Sequence, residues 1–190
     1  MTCLIADDTP ITMLESALPA GENAGDIKVL SDLPHWVSLH VACKIASATR
    51  AADFLGERLS DLNPTEREHI TLALRELLLN AVEHGGHLDP EKGVDLSFIR
   101  TPHSIVCSIR DPGEGFSCDN LEHSAISSSP DQLFWQLEFR AQQGMRPGGL
   151  GLLMVRRLAD ELVYSAKGNE VMFIKYLIRQ EIGRTSHRAR

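Results

Sequence analysis

The chain has 190 residues, 43% of them hydrophobic, which suits one globular domain with a full core. Its 26 acidic residues outnumber 19 basic ones, and the formal charge of -7 argues against general attraction to nucleic-acid phosphates. Cys3, Cys43, Cys107 and Cys118 form no C-x-x-C pair, so a zinc knuckle or dithiol redox motif is not expected and a reduced, cytoplasmic protein is. No run approaches the roughly 20 apolar residues of a membrane helix, and a start bearing Asp7, Asp8 and Glu15 is unlike a secretory signal.

Residues 1–32 mix Pro10, Pro19, Gly21 and Gly25 with acids and read as a loosely ordered extension, with room for a short helix over Ile11 to Leu18. The domain is expected over 33–180. It opens with Trp36 to Cys43, where apolar and polar residues alternate as in a half-buried strand. Ser47 is the expected cap of a helix through Leu59, with Ala51, Phe54, Leu55 and Leu59 along one stripe. Asn63-Pro64 then opens a long helix so apolar, from Ile70 through Val82, that burial is expected and its few polar residues require a reason. Gly85-Gly86 ends it.

Val94 to Arg100 and Ser104 to Arg110 read as a hairpin around Thr101-Pro102-His103, delivering the chain to Asp111. Residues 117–147 lack a continuous core pattern and are expected to form a functional lid, with an amphipathic helix over Asp131 to Gln142. A helix is expected over Gly149 to Leu162, then two strands, Glu161 to Ala166 and Val171 to Ile178, around Lys167-Gly168-Asn169. Residues 181–190 read as a solvated basic tail.

Three segments carry chemistry. In E-L-L-L-N-A-V-E-H, residues four apart share a helix face, so Glu76, Asn80 and His84 form one polar line. The Asn80 amide oxygen suits Mg²⁺, which keeps waters and takes its other ligands from phosphates, and Glu76 suits a general base. The same spacing also fits a satisfied buried network or a Glu76–Arg75 pair, and His84 also fits a helix-end cap. A His84–His87 metal centre lacks a third ligand at a recognisable spacing.

In D-P-G-E-G-F, Gly113 and Gly115 permit a tight turn after a strand, and the Asp111 carboxylate can accept from an adenine exocyclic amine, which guanine lacks at that position. An ordinary D-P-G turn is the plain alternative. In G-G-L-G-L, Gly148, Gly149 and Gly151 with Leu150 and Leu152 let phosphate oxygens reach orphan amides at a helix start, with Arg146 just upstream; a hinge explains the glycines equally. Neither a P-loop nor a dinucleotide fingerprint is present.

In this order the three segments resemble the N, G1 and G2 boxes of the GHKL ATPase and kinase superfamily, most nearly the bacterial anti-sigma factor serine/threonine kinases. E-L-L-L-N-A-V-E-H-G is similar to their E-x-x-x-N-A-x-x-H-G helix, R-D-P-G-E-G-F to their R-D-x-G-x-G-F turn, and G-G-L-G-L to their helix start. The likeness runs from about Trp36 to Ile178. It implies an α/β two-layer Bergerat sandwich, a mixed, mostly antiparallel sheet with helices on one face, binding ATP and Mg²⁺. By residue, Glu76 resembles the catalytic base, Asn80 the Mg²⁺ ligand and Asp111 the adenine reader. Gly113, Gly115, Gly149 and Gly151 resemble the backbone contacts to nucleotide.

The partners the resemblance implies are a STAS-type anti-sigma antagonist, phosphorylated on serine or threonine, a sigma factor and a second copy of the chain. The stretch between the second and third boxes is longer than in compact members, with Leu133, Phe134, Trp135, Leu137 and Phe139 adding an apolar helix. A nucleotide-responsive binding module with little kinase activity is the alternative. A sensor histidine kinase is disfavoured because no dimerising hairpin is expected upstream, and a gyrase-like or chaperone-like ATPase because it would need a second transducing domain.

Overall fold

The computed structural model describes residues 25–115 and 150–177. Six strands form one antiparallel sheet in the order β1-β2-β3-β4-β6-β5: β1 Ile27–Leu33, β2 Trp36–Ala42, β3 Gly93–Arg100, β4 Ser104–Arg110, β5 Glu161–Tyr164 and β6 Glu170–Tyr176. Helices α1 (Ile45–Glu57), α2 (Pro64–Asn80) and α3 (Leu150–Leu158) supply the second layer. Every described strand pair is antiparallel, so the parallel component of the expected mixed sheet is not seen among these residues.

Alternation along the strands sets which face meets the helices. Val37, Phe98, Cys107 and Phe173 lie side by side across β2, β3, β4 and β6, and Leu39, Leu96, Ile109 and Val171 form the next row. All eight are buried, in one core with Leu55, Ile70, Leu74, Leu78 and Val155 from the helices. The opposite face carries Trp36, Ile99 and Met172, all exposed. That division follows from the two-residue period of a strand with one covered face.

Helix α2 starts as its sequence dictates. The Asn63 side chain accepts from the Glu66 backbone N–H at 2.9 Å, and Pro64 follows in the first turn. It lies tightly on α1, where a Cβ on Gly56 would sit 2.6 Å from Thr71 Oγ1. Helix α1 differs from expectation: it begins at Ile45 with Lys44 at the cap position, and Ser47 lies inside it. The Ser47 side chain is fully buried and lacks a hydrogen-bond partner among the described residues, so it caps nothing.

Two other expectations change. Ile27–Leu33, read as part of the extension, is an edge strand paired with β2; only Ile27 is buried there, so it carries little alternation to read. Helix α3 stops at Leu158, short of Leu162. Asp160 then accepts from the Tyr176 backbone N–H at 2.6 Å and from Lys175 at 2.9 Å, which turns the chain into β5. The expected helices at Ile11 to Leu18 and Asp131 to Gln142, the 117–147 lid, most of the extension and the basic tail lie outside the described residues.

Candidate functional site

The end of α2 is where two of the three segments meet the first. Glu76 and Asn80 lie one helical turn apart, both half-buried. Among the described residues no hydrogen bond or ion pair engages either side chain, and Arg75 pairs with Asp53 instead of Glu76. Among the described residues, therefore, no local network satisfies the Glu76 carboxylate. Helix α3 approaches it through Gly151, where a Cβ would fall onto the carboxylate, 3.0 Å from its Cδ. The absence of a side chain at Gly151 is what lets the first turn of α3 sit against Glu76.

After Asn80 the helix widens. Residues Ala81–Gly85 form a π-helical turn, with the Gly86 N–H donating to the Ala81 carbonyl at 2.8 Å. The wider turn breaks the four-residue stacking expected for His84, which is exposed on it. This π turn also carries Gly85 onto the second segment, where a Cβ would fall onto the Asp111 carboxyl group. Gly86 packs in the same way on Cys43. Among the described residues no group of three His, Cys, Asp or Glu side chains is arranged to hold a metal, so a His84–His87 centre has no third ligand there.

Asp111 follows β4 directly. One carboxylate oxygen accepts from the Gly113 N–H at 2.8 Å, which fixes the side chain across its own turn. Burial raises the pKa of the Asp111 carboxyl group from its ordinary value, opposed by that N–H and by the Lys167 ammonium. Gly115 has φ +82°, the left-handed region, and a Cβ on it would collide with the Lys167 carbonyl. The turn is thus shaped by its glycines at both steps.

The family model of the histidine kinase-like ATPase domain matches residues 41–175, most of the chain. The chain belongs to that family. Serine-protein kinase RsbW of Staphylococcus epidermidis is 29% identical over 123 residues, 64% of this chain and 72% of that protein. The anti-sigma F factor of Anoxybacillus flavithermus is 28% identical over 128 residues, 65% of this chain and 80% of its own length. Serine-protein kinase RsbW of Staphylococcus aureus strain JH9 is 25% identical over 123 residues, 64% of this chain and 72% of its own length.

Within this histidine kinase-like ATPase domain the structure brings Glu76, Asn80, Gly151, Asp111 and Gly113 around the end of α2, with Gly115 at the outer end of the turn. Leu152 packs against the core. Leu150 opens α3. Arg146, Gly148 and Gly149 lie outside the described residues. In the sequence Gly85 reads only as a helix stop and Lys167-Gly168-Asn169 only as a hairpin turn. Both close on Asp111, and no local pattern signals a contact made across the fold.

Proposed function

We propose that the protein is an ATP-dependent serine/threonine kinase of a bacterial partner-switching system. It phosphorylates a STAS-type anti-sigma antagonist and sequesters a sigma factor or comparable partner, acting as a cytoplasmic homodimer. The observation that carries the reading is the Glu76 carboxylate, half-buried and unengaged among the described residues, held against the glycine opening of α3. Support for the substrate class comes from relatives named serine-protein kinase and anti-sigma F factor.

The residues have distinct tasks in this scheme. Asp111 accepts from the adenine amine through the carboxylate oxygen that Gly113 leaves available. Backbone amides at the start of α3 receive phosphate oxygens, which the helix dipole favours. Glu76 takes the proton of the attacking serine or threonine hydroxyl as its oxygen bonds to the γ-phosphorus and the bond to the bridging oxygen breaks, releasing ADP. The donor set fits Mg²⁺, since one amide oxygen from Asn80, water and phosphates suit an ion that is seldom caged by protein alone. When bound, Mg²⁺ would offset the charge of the phosphates.

The test is incubation with γ-labelled ATP, Mg²⁺ and a co-encoded STAS protein, beside Glu76→Gln. Label on a STAS serine or threonine with the wild type, reduced by about a hundredfold or more in the variant, is expected. Tight ATP binding with no transfer to any STAS residue would replace the kinase by a nucleotide-responsive binding module.

A further inference from the structure

The β5–β6 turn is fastened to the Asp111 turn at several points. The Asp111 N–H donates to the Asn169 carbonyl at 2.9 Å, and the Asn169 side-chain amide donates back to the Asp111 carbonyl at 3.3 Å. Lys167 donates from Nζ to the Gly113 carbonyl at 3.1 Å, and its own carbonyl lies where a Gly115 Cβ would be. The turn is itself closed: Ser165 N–H donates to Glu170 O and Gly168 N–H to Ser165 O, each at 2.9 Å, with Gly168 at φ +77°.

Immediately beside it, β4 and β6 are locked in register. Glu170 accepts from Ser108 Oγ at 2.7 Å and from Arg110 at 2.8 and 3.1 Å, across the Arg110–Glu170 pair. The Asn169 turn is therefore fixed to the sheet before it touches Asp111. Both backbone polar groups of Asp111 are held by one residue, while Gly113 holds one of its carboxylate oxygens. Little freedom remains for the other oxygen, the one that would read a base.

We infer that Asn169 and Lys167 are positioning residues for nucleobase selection, aiming the Asp111 carboxylate from the β5–β6 turn so that an adenine nucleotide is preferred over a guanine one. This rests on the proposed role of Asp111. Among the described residues, the charged and titratable groups that act on or couple to that carboxylate are Lys167 from the β5–β6 turn and the buried Cys43 thiol behind Gly86; Arg110 is engaged by Glu170. Lys167 is the cation that acts on Asp111 and favours its ionised form.

The experiment is calorimetric titration of the full chain with ATP·Mg²⁺ and with GTP·Mg²⁺ at a series of pH values from neutral into the acid range, carried far enough to bracket the loss of ATP affinity. Asn169→Ala should weaken ATP by about five- to tenfold, as expected for a lost orienting hydrogen bond, while GTP changes little and the preference narrows. Asn169→Leu removes the same donor at similar size without adding a charge beside Asp111, and serves if the alanine variant folds poorly. Lys167→Met should move the midpoint of the pH-dependent loss of ATP affinity to higher pH, and Lys167→Arg should restore it. A general loosening of the fold would lower ATP and GTP together and move no midpoint, which would overturn the inference, as would wild-type preference and midpoint in all variants. Asp111→Asn is the separating control. If it leaves ATP affinity intact, the adenine role fails and the inference with it; if it weakens ATP while the Asn169 and Lys167 variants do not, the inference alone fails.

Discussion

Gly151→Ala sets two effects of opposite sign against each other. Alanine in the first turns of α3 favours the helix by about 0.5–1 kcal/mol over glycine. The added Cβ would fall onto the Glu76 carboxylate and lie 3.0 Å from its Cδ and 3.5 Å from its Cγ, so the side chain must swing aside. Pushing it off its rotamer costs about 0.5–1.5 kcal/mol. The two nearly cancel, and unfolding in denaturant should show a change within about 1 kcal/mol of wild type. On the proposed role of Glu76, catalysis has no such offset, because displacing a reacting group by about 1 Å lowers a rate by about a hundredfold. Denaturant unfolding and single-turnover transfer from labelled ATP, measured on one preparation, read both quantities. Wild-type transfer by Gly151→Ala would refute the claim that Glu76 works from this position.

Asn80→Ala should abolish the Mg²⁺-dependent part of ATP retention while leaving Mg²⁺-free binding little changed, measured by titration with and without EDTA. ATP affinity should fall on acidification, with a midpoint higher than an unperturbed aspartate would give, because protonated Asp111 no longer presents an anionic acceptor. The stability of the ATP-free protein carries the opposite contribution from this group. With its folded pKa raised by burial, the contribution is fully present below the unfolded value and lost as pH rises through the folded one, which denaturant midpoints of the wild type and of Asp111→Asn across that range would resolve. Phe98→Ala, at the centre of the sheet, should cost about 3–5 kcal/mol in denaturant unfolding, since the cavity cannot be filled from solvent.

What can be read in advance divides along local and non-local lines. The start of α2 is legible because Asn63, Pro64 and Glu66 act within one turn. The β3–β4 hairpin is legible because alternation in Val94 to Arg100 and Ser104 to Arg110 reports one covered face. Strand β1 is hidden because an edge strand burying only Ile27 leaves almost no apolar period. Ser47 misleads because a serine before an apolar stripe looks like a cap, whereas Lys44 occupies that position and Ser47 is inside the helix. For the proposed site, types and order of residues single out Glu76, Asn80 and Asp111, and the structure brings their segments to the end of α2. The π turn that moves His84 out of line and carries Gly85 to Asp111, and the clasp from Asn169, depend on contacts between distant segments.

The clasp between Asp111 and Asn169 joins residues 58 positions apart in the chain. Contacts of such long sequence separation form late, since much chain must be ordered before they are made. A chain emerging from the ribosome therefore acquires its α1–α2 pair and first hairpins well before the Asp111 turn is clasped. ATP would find a partner only in the completed domain, and would then deepen its stability according to its concentration relative to Kd.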